Sequence, residues 1–166
     1  LNPNGGQLIV MTYVDDLTII GSPSETQGLM DALRKRFTLQ EAETGDASYM
    51  LSMEVKRNRE ARSLTINQEA AIKKIATGLG ISVEKPSVRT PMKEAPLVKL
   101  EEPEEDPVVK NFGYLNAVGS LLHVAQCTRP DISYAVGTLA RHSTSVGKEH
   151  VKAVKRVVQY LYNTRK

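Results

Sequence analysis

Tryptophan is missing from these 166 residues, phenylalanine occurs twice and cysteine once. With Cys127 alone, no disulfide can form within the chain, and one thiol fits a reducing compartment. No apolar run approaches the ~20 residues that a membrane helix requires, so no membrane partner is expected. The few His and Cys residues show no zinc-ligand spacing, and neither a Walker loop nor a dinucleotide fingerprint is present. These absences exclude P-loop, Rossmann and zinc-finger chemistry as first readings. No internal repeat appears, which excludes a solenoid. There is no secretory signal and no starting Met, so a piece of a longer protein is expected.

What is present is ordinary for a packed domain, with 40% hydrophobic and 25% charged residues. A chain of this length buries about 70% of its unfolded surface, enough for one domain or two small subdomains. Charge is uneven. Residues 1–110 carry 14 basic against 17 acidic side chains, whereas residues 111–166 carry 8 against 2. A basic C-terminal third suits a polyanionic partner, although on charge alone a solvated Lys/Arg face is the favoured reading.

The strongest local signal is Tyr13-Val14-Asp15-Asp16, between the apolar runs Leu8–Met11 and Leu17–Ile20. Both runs read as strands, with the Asp pair at a tight hairpin turn. Two unit charges ~4 Å apart repel by about 4 kcal/mol at an effective dielectric near 20. A pair held beside apolar strands therefore suits a cation such as Mg²⁺, which takes carboxylate and phosphate oxygens. Asp is also a common turn residue, and that plainer reading stays open.

Ser22-Pro23-Ser24-Glu25 carries a capping box with Pro at the first helical position, followed by Leu29, Met30, Leu33 and Phe37 at helical spacing. Arg34, Lys35 and Arg36 are placed in its last turn, where the helix dipole favours cations. Tyr49–Lys56 reads as one strand and Leu64–Ile66 as its return. Asn67 is placed to cap a helix bearing Ile72, Ile75, Ala76 and Leu79, ended by Gly80. Residues 81–110 hold five prolines and an acidic run, and read as an extended or disordered, solvated linker.

Three helices are expected beyond it. Leu115, Val118, Leu122 and Ala125 mark the first, and Ile132, Ala135, Val136 and Leu139 the second, opened by Pro130. Val151, Val154, Val158 and Leu161 mark the third, whose other face carries Lys148, Lys152, Lys155 and Arg156. A local ion pair with a helix cap is expected at Arg129 and Asp131. Tyr114, Tyr134, Tyr160 and Tyr162 are expected in the core or between helices. The fold class is α+β, organised as 1–80, a linker at 81–110, and a helical region at 111–166.

In this order the words resemble the reverse transcriptase of copia-type retrotransposons. Tyr13–Asp16 resembles the catalytic hairpin, Met50–Val55 the primer-grip strand and Leu64–Gln68 its return. Thr90-Pro91-Met92, Val118–Leu122, Thr128–Ile132, Ala135-Val136, His150, Ala153–Arg156 and Tyr160-Leu161 complete the likeness. The chain departs from the family in having Ser52 for a usual Gly, His123 for Tyr and Asn163-Thr164 for Gly-Thr. No lysine stands between Thr38 and Val55, so no residue is assigned as acid for the pyrophosphate.

The resemblance implies part of a polymerase palm, antiparallel strands with packed helices, followed by a helical thumb-like region. It implies an RNA-directed DNA polymerase that extends a primer by two-metal phosphoryl transfer, with Asp15 and Asp16 as catalytic metal ligands for Mg²⁺ or Mn²⁺. Tyr13, Val14, Met53 and Glu54 would position primer or substrate. Asn116, Gly119 and His123, with Lys148, Lys152, Lys155 and Arg156, would contact nucleic acid. Partners would be an RNA or DNA template with primer, deoxynucleoside triphosphates, upstream fingers and palm bearing a third carboxylate, and a downstream RNase H. The expected location is a cytoplasmic virus-like particle with a nuclear stage. The fragment alone would be inactive. The alternatives are a non-catalytic nucleic-acid-binding or scaffold remnant, and an unrelated α+β domain.

Overall fold

The computed structural model describes residues 6–39, 47–81 and 88–165, which form two compact units, Leu1–Ala47 and Ser48–Lys166.

In the first unit, β1 (Ile9–Tyr13) and β2 (Asp16–Ile20) pair antiparallel. Their register runs from Ile9↔Ile20 to Tyr13↔Asp16, so Val14 and Asp15 alone make the turn. α1 (Pro23–Arg34) follows, and its start is the expected capping box. Glu25 N–H donates to Ser22 Oγ at 3.4 Å, and Ser22 N–H donates to the Glu25 carboxylate at 3.3 Å. The helix stops earlier than its apolar spacing suggests: Lys35 is the C-cap, and Phe37 lies beyond it, exposed. No described residue of this unit is buried, because one hairpin and one helix offer little mutual cover.

The second unit opens with β3 (Tyr49–Met50), β4 (Met53–Asn58) and β5 (Ser63–Asn67), an antiparallel meander in that order. The single strand expected from Tyr49 to Lys56 is in fact broken. Met50 pairs with Met53, and Leu51 and Ser52 form a two-residue turn with φ of 49° and 63°. Two left-handed residues match the twist of the flanking strands, and the absence of Gly or Asn hid the turn from sequence reasoning. A non-Gly residue in that region costs roughly 1–2 kcal/mol. Ser52→Gly is therefore expected to stabilise the protein by about 1 kcal/mol, read as a higher urea midpoint with unchanged slope.

α2 (Glu69–Gly78) begins as expected: Asn67 Oδ1 accepts from Glu69 N–H at 3.1 Å. It ends at Gly80, whose φ of 59° suits glycine. Ile72 and Ala76 are buried, with Ile75 and Leu79 against the same core. That core is helical. α3 (Pro107–Lys110) and α4 (Tyr114–Cys127) lead to a 3-10 turn (Pro130–Ile132), then to α5 (Ser133–Ala140) and α6 (Lys148–Asn163). Pro130 thus starts a 3-10 turn rather than the α-helix itself. Leu121, Ile132, Val136, Leu139, Val154 and Val158 are fully enclosed. α2 packs on α4 and α6, so it shares a core with the C-terminal helices although the sequence grouped it with residues 1–80.

Two sequence expectations fail here. The buried side of α4 is Tyr114, Ala117, Val118, Leu121, Val124 and Ala125, while Leu115 is 65% exposed and Leu122 36%. Val118 and Ala125 of the expected stripe are inside, whereas Tyr114 and Leu121 take the buried places expected for Leu115 and Leu122. Tyr134, expected inside, is 78% exposed. Tyr114 does belong to the core: its hydroxyl donates to Leu139 O at 2.9 Å, and burial pushes its pKa up to about 12.

Among the described residues, 88–106 form no helix or strand, as the proline content predicted, but they are seated rather than free. Met92 and Leu97 pack on the core, Glu104 N–H donates to Val146 O at 2.9 Å, and Asp106 pairs with Lys148 at 2.7 Å. Pro86 lies outside the described residues. His150, 2% exposed, completes the attachment. Its Nδ1 accepts from Gly147 N–H at 2.9 Å, and its Nε2 lies 3.1 Å from Val98 O. A carbonyl only accepts, so this ring carries its proton on Nε2.

Candidate catalytic hairpin and nucleic-acid interface

The β1–β2 turn places two successive carboxylates at the tip of a hairpin, Asp15 in the turn and Asp16 in register with Tyr13. Val14 has φ of 50° and is 82% exposed. For a β-branched residue this backbone conformation is a true outlier, of the kind that clusters where a loop must present particular groups. Tyr13 is 61% exposed, so the four-residue tip faces outward. Its acidic donors are hard oxygens, which suit Mg²⁺ rather than zinc. Among the described residues no group of three or more His, Cys, Asp or Glu side chains gathers to hold a metal. The pair fits part of a metal site, and among the described residues no third ligand completes it.

The primer-grip-like residues are divided. Met53 is buried in the second unit. Glu54 is engaged by Asn67 Nδ2 at 2.9 Å and Lys56 Nζ at 3.2 Å, and these hold its carboxyl below the usual range, the Asn67 hydrogen bond most strongly. The Leu51–Ser52 turn, rather than either of these side chains, adjoins the next element. His123 Nε2 lies 3.3 Å from Leu51 O, so it carries the proton and donates, while Nδ1 faces Cys127 Sγ at 3.7 Å. Asn116, Gly119 and His123 all lie exposed on α4, so the structure brings one end of that helix face against the β3–β4 turn.

The cations of α6 are committed within the chain. Lys148 pairs with Asp106 at 2.7 Å and Lys152 with Glu149 at 2.6 Å. Lys155 Nζ sits 5.5 Å from the Phe112 ring centre, and Arg156 Nη2 donates to Thr90 Oγ1 at 2.9 Å. Arg156 Nε is buried without a partner among the described residues. Residues 90–112 thus partner three of these four cations, an arrangement that the lone helix pattern could not reveal.

Arg129 and Asp131 form the expected ion pair, with two nitrogens on two carboxylate oxygens at 2.9 and 2.7 Å. Asp131 makes no helix cap, because it lies within the 3-10 turn. The pair instead ties down the end of α6. Arg129 reaches Thr164 O at 3.1 Å and Thr164 Oγ1 at 2.6 Å, and Tyr160 donates to Asp131 at 2.8 Å. The Arg129 guanidinium holds the Asp131 carboxyl below its ordinary range. Sequence reasoning missed Thr164 in this role, as it missed Gln68, whose Oε1 accepts from Thr128 Oγ1 at 2.8 Å.

Comparison with known proteins gives consistent relatives. The chain is 35% identical over 167 residues to the retrovirus-related Pol polyprotein from transposon TNT 1-94 of Nicotiana tabacum, covering 95% of this chain and 12% of that protein. It is 34% identical over 162 residues to the corresponding polyprotein from transposon RE1 of Arabidopsis thaliana, covering 93% and 10%. The putative transposon Ty5-1 protein of Saccharomyces cerevisiae is 29% identical over 162 residues, covering 96% and 50%. The chain therefore spans about a tenth of the two plant polyproteins. No family model and no solved structure matches it. Along nearly its whole length the chain is homologous to one segment of the retrovirus-related Pol polyproteins of copia-type transposons.

Proposed function

We propose that this segment is the part of a copia-type reverse transcriptase that carries the catalytic hairpin, the primer-grip-like turn and a thumb-like helical region. The observation that carries the reading is the hairpin register, which leaves a strained Val14 and Asp15 as the whole turn with Asp16 beside them. In the complete enzyme the activity is addition of deoxynucleotides to a primer on an RNA or DNA template. Asp15 is the principal metal ligand of this chain and Asp16 assists. Bound Mg²⁺ supplies charge neutralisation on the transferring phosphate and the leaving pyrophosphate. Tyr13 and Val14 support the primer end from the same tip. The exposed α4 face of Asn116, Gly119 and His123 rests on the duplex, where small and hydrogen-bonding groups suit shape-reading contact.

The apolar side chains Ile9, Val10, Met11, Leu17 and Ile20 are all exposed on the hairpin. A two-stranded ribbon with so much apolar surface is marginal alone, which supports a place in a larger sheet built with polyprotein sequence outside this chain. Primer extension tests the reading. The parent protein, with its upstream region, is expected to extend oligo(dT) on poly(rA) with dTTP and Mg²⁺, whereas the 166-residue chain alone is not. Binding of primer–template by the parent without extension would reject the polymerase reading in favour of a non-catalytic remnant.

A further inference from the structure

Tyr134, Thr138 and Arg141 recur at four and three residues along α5 and its C-terminal cap, and so share one face over about 10 Å of helix. Opposite them runs the Met92–Lys99 segment, and together they line an open cleft of about 730 Å³. That volume falls within the ~300–1,000 Å³ typical of small-ligand sites. Three cations border it. Lys93 and Lys99 are exposed and make no hydrogen bond or ion pair with any described residue, and Arg141 is satisfied only by Thr138 Oγ1 at 3.1 Å. Glu94 is the one acidic residue of the lining. The cations contrast with those of α6, which have partners within the chain.

Tyr134 adds the second half of the chemistry. An aromatic ring that is 78% exposed contributes little to the core, so its position in a cationic cleft calls for another explanation. A phosphate-bearing ligand with a flat ring would satisfy both features: stacking on the phenol, and charge-assisted bonds to Lys93, Lys99 and Arg141. Arg141 is suited to a bidentate phosphate contact, and the lysines act as point charges.

We propose that the cleft between α5 and residues 92–99 binds a nucleotide unit, with its base against Tyr134 and its phosphate among Lys93, Lys99 and Arg141. The unit is supplied either free or within a single strand. The inference goes beyond the polymerase reading and does not use Asp15 or Asp16.

The test is equilibrium binding by the whole chain, with AMP and with a fluorescein-labelled dT12 strand as separate probes. Saturable one-to-one binding of AMP that also displaces dT12 identifies a free nucleotide as the source. Binding of dT12 with no uptake of AMP identifies a strand. In either case Tyr134→Ala is expected to weaken binding about five- to hundredfold, and Tyr134→Phe to preserve it. Combined Lys93→Gln, Lys99→Gln and Arg141→Gln should lower the dependence of log K on log salt by about 0.7 for the strand, the value for one phosphate. Circular dichroism checks that each variant folds, which these exposed positions should allow. The proposal is overturned if neither probe binds, or if folded Tyr134→Ala binds as the unaltered chain does. It is equally overturned if heparin displaces dT12 as well from Tyr134→Ala as from the parent sequence, since charge alone would then account for binding. No extension activity is read, so failure here leaves the hairpin assignment standing, and failure of primer extension leaves this site standing.

Discussion

On the proposed polymerase reading, Asp15→Asn in the parent polyprotein is expected to abolish primer extension while leaving primer–template binding within about twofold. The asymmetry follows from what the substitution removes. Asp15 occupies the turn of a hairpin whose neighbouring side chains are all exposed, so Asn fits without repacking. What the proposed site would lose is one anionic oxygen ligand. Metal stabilisation of transition-state charge is worth several kcal/mol, and each 1.36 kcal/mol is tenfold in rate, so a loss of about a thousandfold or more is expected. Nucleic-acid affinity should persist, because duplex contacts in the proposed arrangement come from α4. The measurement pairs single-turnover extension with filter binding of the same labelled primer–template. Retained extension at a rate near that of the unsubstituted enzyme would remove Asp15 from catalysis. Parallel loss of binding and extension would mean that the hairpin positions the duplex instead.

The second large effect concerns α4. Leu121→Ala is expected to destabilise the helical unit by about 2–5 kcal/mol, because a fully enclosed Leu leaves a cavity that its neighbours fill only in part. Leu122→Ala and Leu115→Ala, on the exposed side, should each cost within about 0.5 kcal/mol. Urea denaturation of the three variants gives the comparison directly. Equal losses at 121 and 122 would mean that the buried side lies between them. The paired design matters because the apolar spacing in the sequence points to 115, 118, 122 and 125, of which 118 and 125 are packed inside while 114 and 121 replace 115 and 122.

That discrepancy shows where local pattern stops being informative. In α6, valines and a leucine recur on one side against a run of Lys and Arg, and Val151, Val154, Val158 and Leu161 are all inside as the pattern required. In α4 nearly every residue is apolar or small, so more than one register satisfies the helical period. The choice falls to the partner helices, which admit Ala117 and Ala125 at close approach. The α1 capping box was legible because Ser, Pro and Glu act within one turn. The Leu51–Ser52 turn was not, since neither residue ordinarily prefers its left-handed backbone. At the candidate site, the two carboxylates and their hairpin were legible from the two apolar runs that flank them. The internal partners of Lys148, Lys155 and Arg156 were not, because they come from residues far away in sequence whose placement no local rule dictates.

The seating of residues 98–106 also bears on the order in which the protein is made. Glu101 O accepts from Ser145 at a separation of 44 residues, and Val98 O from His150 at 52. At translation rates of about 5–20 residues per second, Val98 leaves the ribosome roughly 3–10 seconds before His150 can reach it. Ile72 and Ala76 of α2 wait longer for α6. The helical unit therefore cannot close progressively from its N-terminal side. It stays open until α6 emerges, and a nascent chain interrupted before that point would present its apolar helix faces to chaperones and proteases.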